Sequence, residues 1–265
     1  MDALKDKNNL IILGRWTKEE LDRILQEASG INDAGERIEF ISGKFLSVDY
    51  KESTLIGDKS TPEVFVINLE GVDCMTFVEY VEAMRLSNSF SGFMENLKKV
   101  RYRMGKITFE NRNHFFTDWL ESNSRFIADV TEAIGGSKTK KVKKKLNLKL
   151  VPEGLPSKAS IGGFSRGKDG TYILPGIAVK DREVKYIPAD AIDDAVLDKL
   201  KTGDYVGIYS KDDGLDVSHV GIIIQAQGTT LLRHASSLAG KVADEDLKKH
   251  IAKKEGLVVL RPRYF

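Results

Sequence analysis

Apolar residues recur at three- and four-residue spacing in the first half of the chain and in short β-rich runs in its last third, which predicts helices first and a sheet afterwards. Thr17 and Glu20 form a T-x-x-E capping box ahead of Leu21, Ile24, Leu25 and Ala28, so a helix should run to about Ser29 and stop at Gly30. A second helix is predicted over 34–44, with Ile38 and Ile41 or Phe45 on one face. Residues 45–56 (FLSVDYKESTLI) are irregular around Tyr50. Residues 64–69 (VFVINL) read as a strand, Gly71 as a tight turn and Asp73 as the N-cap of an amphipathic helix carrying Phe77, Val78, Val81 and Met84, with Glu79 and Glu82 between them.

Residues 98–109 mix charged and apolar positions, with Gly105 as a break. In 111–122 (NRNHFFTDWLES), Phe115, Phe116, Trp119 and Leu120 can share one helical face, which predicts a core helix whose polar start is well placed to meet anions. The lysine run of 137–150 alternates from Val142 onward, the pattern of a half-exposed strand whose outer lysines blunt an edge. Glycines 154, 162, 163, 167, 170 and 176 with Pro152, Pro156 and Pro175 mark a loop-rich region lacking the G-x-x-x-x-G-K phosphate-binding pattern. A strand over 184–187 and a helix over 189–200 follow. Strands over 204–209, 219–225, 230–233 and 257–261, with a helix over 244–253 before the last, complete a mostly antiparallel sheet and an α+β architecture.

Composition narrows the function classes. The 265 residues carry 41 basic and 39 acidic side chains, a net charge of +2 that by itself argues for neither nucleic acid nor a membrane surface. The lysine run lacks the interleaved aromatics of a nucleic-acid site. No apolar run approaches the roughly 18 residues a membrane span needs. The polar start is no signal peptide, so the chain is either cytoplasmic or a mature or recombinant form from which an export signal has been removed.

The chemistry centres on the single cysteine. Cys74 falls at the first helical position, facing unpaired backbone N–H groups and the positive end of the helix dipole, and both favour a thiolate. A buried core thiol is the alternative. His219 begins one predicted strand and His234 ends the next. A hairpin centred near Gly228 would set residues summing to about 456 opposite one another, which brings the two histidines within side-chain reach. A thiol at a helix start with two histidines supplies a nucleophile, a base and an orienting group. A metal site is the other reading, and it lacks a clear fourth ligand at zinc spacing.

The ordered set of VDYKESTL, NLEGVDCMTFVE, NRNHFFTDW, LKTGDYV, SHVGI and LRHAS resembles the NlpC-type superfamily of papain-like cell-wall peptidases. Within it the set is most similar to the N-acetylmuramoyl-L-alanine amidase-like branch. The resemblance covers most of 35–262. It implies a single catalytic domain over 1–265 with a papain-like core and a large insertion at about 87–199. It also implies a cysteine nucleophile at Cys74, His219 as base and His234 orienting it, with no metal or organic cofactor.

By the same resemblance Tyr50 lines the site and Asp73 is the acid beside the nucleophile. The residue after the cysteine is Met75, where the superfamily usually has serine. The expected substrates are muropeptides, cut at the lactyl–L-alanine amide, with a preference for anhydromuramyl peptides in view. A γ-D-glutamyl-diamino-acid endopeptidase and a non-catalytic envelope-binding protein are the alternatives. The expected setting is periplasm or cell envelope, and the expected state a monomer. Arg112, His114 and Trp119 are the candidates for a donor set and an apolar platform on one wall of the pocket.

Overall fold

The structure, a computed structural model, describes residues 4–6, 9–149 and 172–263. Strands β1 (Leu4–Asp6) and β2 (Asn9–Ile12) pair antiparallel and lead into α1 (Lys18–Ser29) and α2 (Ala34–Gly43). The reciprocal Thr17–Glu20 capping box and the Gly30 stop delimit α1 as its sequence predicts, because both devices act within one turn. Next come β3 (Asp49–Tyr50), β4 (Phe65–Asn68) and β5 (Gly71–Val72). The parallel pairing of β2 with β4 makes a three-stranded sheet that the sequence pattern does not reveal.

Helix α3 (Cys74–Arg85) begins at the cysteine, with Asp73 as N-cap. It differs from the expected amphipathic helix in being buried on all sides: every residue from Thr76 to Arg85 is inaccessible or nearly so. Its charges are tolerated because each has a partner. Glu79 pairs with Arg101 at 2.6 Å, and Glu82 pairs with Arg85 at 2.7 Å while accepting from the Tyr205 hydroxyl at 2.8 Å. Arg101 lies on α4 (Phe90–Arg101), and its Nη1 also donates to the Val66 carbonyl at 2.6 Å. The cysteine helix is thereby tied to α4 and β4 at once.

Beyond α4, the expected helix over 111–122 shortens to α5 (Phe116–Ser122), preceded by a 3₁₀ turn at Phe109–Asn111. Trp119 stacks on Phe116 and meets Tyr205 edge-on, fully buried, so it belongs to the core and not to a pocket wall. The chain continues through β6 (Ile127–Asp129), α6 (Thr131–Gly135), β7 (Lys140–Leu146) and β8 (Lys180–Pro188). Among the described residues the lysine-rich β7 pairs with β8 alone, at the end of the large sheet, the edge position its alternation predicts. The glycines from 154 to 170 lie outside the described residues. The predicted helix over 189–200 resolves into a 3₁₀ turn and the single-turn α7 (Asp194–Leu197).

The remaining elements are β9 (Tyr205–Tyr209), β10 (Val217–Ala226), β11 (Thr229–Ser236), β12 (Lys241–Asp246), α8 (Leu247–Ile251) and β13 (Gly256–Pro262). The large sheet runs β5-β3-β12-β11-β10-β9-β13-β8-β7, with β6 on the far part of β13. It is mostly antiparallel, and β3–β5 is its parallel pair. Two differences from the sequence reading bear on the site. Residues 244–246, expected to be helical, extend β12, and only 247–251 form a helix. The strand expected to follow β11, over 257–261, is β13 and pairs with the far side of β9, and the place beside β11 is taken by β12, to which the sequence reading assigned no strand.

Candidate active site

Helix α3 packs against β10 and β11, and its first residue, Cys74, shares a cleft with His219 and Val220 of β10. Hairpin β10–β11 turns on Gln227 and Gly228, both at positive φ (48° and 76°), the two-residue geometry whose twist suits antiparallel strands. Opposed residues therefore sum to 455, as in Ile222 with Arg233, one less than the expected 456.

That register sets Gly221 against His234, and the lack of a side chain is what makes room. A Cβ on Gly221 would lie 2.6 Å from Leu232 Cδ1, 2.9 Å from the Arg233 carbonyl oxygen and 3.1 Å from the His234 Cβ. On its other edge β10 has a register shift between Val217 and His219 where it meets β9, an irregularity of the kind that re-aims side chains beside sites. The two rings meet edge to face, and the His219 Nε2 to His234 Nδ1 distance is 2.6 Å.

A cleft of about 1010 Å³ opens over these residues. Cys74, His219, Tyr50 and Asp73 all line it, and so do Arg112 and His114 from the segment before α5. His234 lies behind His219, 2 % exposed. Of the residues singled out from sequence, the fold brings all but Trp119 to this one region.

The electrostatics differ from the sequence expectation at the cysteine. Burial, reinforced by the neighbouring Asp73 carboxylate, pushes the Cys74 thiol up to about 12, against the backbone N–H groups of Val220, Cys74 and Met75 that favour the thiolate. The helix-start donors are present as expected, but desolvation outweighs them. Asp73 is also raised by burial, although its carboxylate accepts from the Thr76 N–H at 2.7 Å and hydroxyl at 2.9 Å. Burial raises Tyr50 as well, and Cys74 adds to it. His219 is pushed down to about 3, first by burial and then by His234 and His250. The resting pair is thus a neutral thiol and a neutral imidazole.

Arg112 and His114 reach the cleft already engaged. Arg112 is paired with Glu63, its Nε donating at 2.9 Å and its Nη2 to the second carboxylate oxygen, and it also reaches the Gly57 carbonyl. His114 Nε2 lies 2.7 Å from the Phe109 carbonyl, and burial lowers its pKa to about 4, so it offers the cleft a polar ring and no charge.

Sequence reasoning missed two residues of the constellation. Glu245 on β12 lies 3.2 Å from His234 Nε2 and 2.9 Å from Nδ1 of His250, which projects from α8. The diagonal spacing of Glu245 from Ala243, which faces His234 across the ladder, would have been readable had 244–246 been assigned to a strand.

The fold is a mixed α/β one with a mostly antiparallel sheet, and its cleft gathers a cysteine and histidines. The chain belongs to the AmiA-like family, described as N-acetylmuramoyl-L-alanine amidase-like, whose model matches residues 40–257. Two crystal structures of an N-acetylmuramoyl-L-alanine amidase from Bacteroides uniformis are 31% and 30% identical, with TM-scores of 0.67 and 0.69, each covering 87% of this chain and 99% of its own. A Legionella pneumophila protein of the DUF1460 family shares the fold at 22% identity and a TM-score of 0.74, covering 92% of this chain and 94% of that one. No curated protein matches the chain.

Proposed function

We propose that this chain is a cysteine-dependent N-acetylmuramoyl-L-alanine amidase with an NlpC-type, papain-like core, acting on muropeptides in the periplasm or cell envelope. The family and the amidase neighbours support the peptidoglycan substrate class. The observation that carries the mechanism is the placing of Cys74 and His219 in one cleft, with His219 bonded to His234 behind it.

Because thiol and imidazole are both neutral at rest, the proton leaves Cys74 as the sulfur attacks. Sγ bonds to the lactyl carbonyl carbon and His219 takes the thiol proton. The imidazolium returns that proton to the departing amine of L-alanine, leaving a thioester. Water, deprotonated by His219, then releases the lactyl carboxylate and regenerates the thiol. The Cys74 backbone N–H and the Tyr50 hydroxyl are the proposed donors to the oxyanion. The same reading gives the cleft a preference for anhydromuramyl peptides, with Met75 in place of the small residue after the nucleophile.

Mass spectrometry of muropeptide digests tests this. Free muramyl sugar plus intact stem peptide is expected from the native chain, with anhydromuramyl substrates cut faster, and no turnover from a folded Cys74→Ser variant. A cut inside the stem would make the protein an endopeptidase, and no cut at all a binding module.

A further inference from the structure

The 2.6 Å contact between His219 Nε2 and His234 Nδ1 needs one hydrogen, and it can be satisfied in two ways. Either His219 donates from Nε2, or His234 donates from Nδ1. The two arrangements have opposite consequences for chemistry. In the first, neutral His219 keeps a lone pair on Nδ1; in the second, Nδ1 carries the hydrogen and the ring has no basic site left. The histidine pair alone does not choose between them.

We propose that Glu245 makes the choice: it is a positioning residue that fixes the hydrogen positions of both histidines, and His250 holds it in register. The ionised carboxylate lies 3.2 Å from His234 Nε2, at ion-pair distance without hydrogen-bond alignment, and its negative charge favours the tautomer that carries the hydrogen on that nitrogen. Neutral His234 then presents a lone pair at Nδ1, which accepts from His219 Nε2–H. His219 is left with a basic Nδ1. The second carboxylate oxygen accepts from His250 Nδ1–H at 2.9 Å, and the Ser236 hydroxyl lies 3.2 Å from the first.

Partial exposure of Glu245 does not undo the arrangement, because the histidine it addresses is 2 % exposed and shielded from bulk solvent. The bonds from His250 and Ser236, with the facing His234, keep Glu245 below the ordinary glutamate range against the effect of its own burial, His250 being the largest contributor. On the amidase reading, the thiol proton moves to His219 Nδ1, and the imidazolium that forms is held by His234 without any proton crossing between the rings.

Long-range 1H–15N spectra of the full chain labelled at its four histidines read the tautomers directly at pH 7, with or without substrate. His219 and His234 should both be Nε2–H forms and His250 an Nδ1–H form. Glu245→Ala should move the His219 and His234 signals toward the opposite or a mixed tautomer. It should also lower kcat about 100-fold with little change in KM, since a misdirected base affects the chemical step and not the binding step. Glu245→Gln, which keeps an accepting oxygen, should restore both readouts in large part.

A native spectrum showing His219 as the Nδ1–H form overturns the proposal without any variant, and so do tautomers that stay fixed in Glu245→Ala. Absence of muropeptide turnover in the native chain would instead defeat the amidase reading and leave the tautomer result standing.

Discussion

Arg101→Met is the sharpest test of how the cysteine helix is held. Methionine keeps most of the buried stem and removes the guanidinium, leaving Glu79 with 2 % exposure and without its hydrogen-bonded cation, the weaker pull of the Glu63-paired Arg112 remaining, and the Val66 carbonyl without the donor it has now. If Glu79 stayed ionised, breaking the buried pair would cost about 3–5 kcal/mol. If it took up a proton instead, holding it neutral at pH 7, about 2.7 pH units above the ordinary glutamate value, would cost about 3.7 kcal/mol.

The two routes agree, and the lost bond to Val66 adds about 1 kcal/mol. A loss of about 4–5 kcal/mol at pH 7 takes a large part of a stability of about 5–15 kcal/mol. The sign with pH follows from burial, which raises Glu79 even in the native chain, with Arg101 pulling it back down. Without Arg101 the folded value rises further, so the variant keeps its stability below the unfolded value and loses it as pH increases. At pH 5 neutralising Glu79 costs only about 1 kcal/mol, so the deficit should shrink to about 2 kcal/mol. Urea unfolding of both proteins at pH 5 and pH 7 measures this. A deficit below about 1 kcal/mol at pH 7, or one equal at the two pH values, would refute the buried-pair argument.

Three further outcomes are expected. Alkylation of Cys74 by iodoacetamide should be slow at pH 7 and still climbing at pH 10, because burial holds the thiol far above the free value of about 8.5; a plateau below pH 7 would show a resting thiolate. His114→Ala should lower kcat/KM about 10-fold by the same factor from pH 5.5 to 8, since the ring gains charge only below about 4, and a pH-dependent defect would show that it titrates in the working range. Gly221→Ala should destabilise by about 1–3 kcal/mol and lower kcat, because the added methyl group presses on the Leu232 side chain, the Arg233 carbonyl and His234; native kinetics with native stability would remove the close-approach role of this glycine.

What the sequence determined by itself is whatever a few neighbouring residues decide. The Thr17–Glu20 box and Gly30 bound α1, Asp73 starts α3 at the cysteine, Gln227–Gly228 turns the histidine hairpin, and alternating lysines mark β7 as an edge. Each is a capping, turn or periodicity effect completed within one element, so Cys74, His219 and His234 could be picked out and His219 set within reach of His234.

Tertiary structure decided what depends on groups far apart in the chain. Arg101 neutralises Glu79 from 22 residues away, which allows α3 to be buried on every side, and Glu63 occupies Arg112 from 49 residues away. The strand path that brings Glu245 and His250 to His234 rests on 244–246 pairing with β11, an outcome of sheet partners that overrides the local helical pattern. The state of the Cys74 thiol was likewise undetermined by its helix-start position, because backbone donors are local while desolvation is summed over every element packed around the cleft.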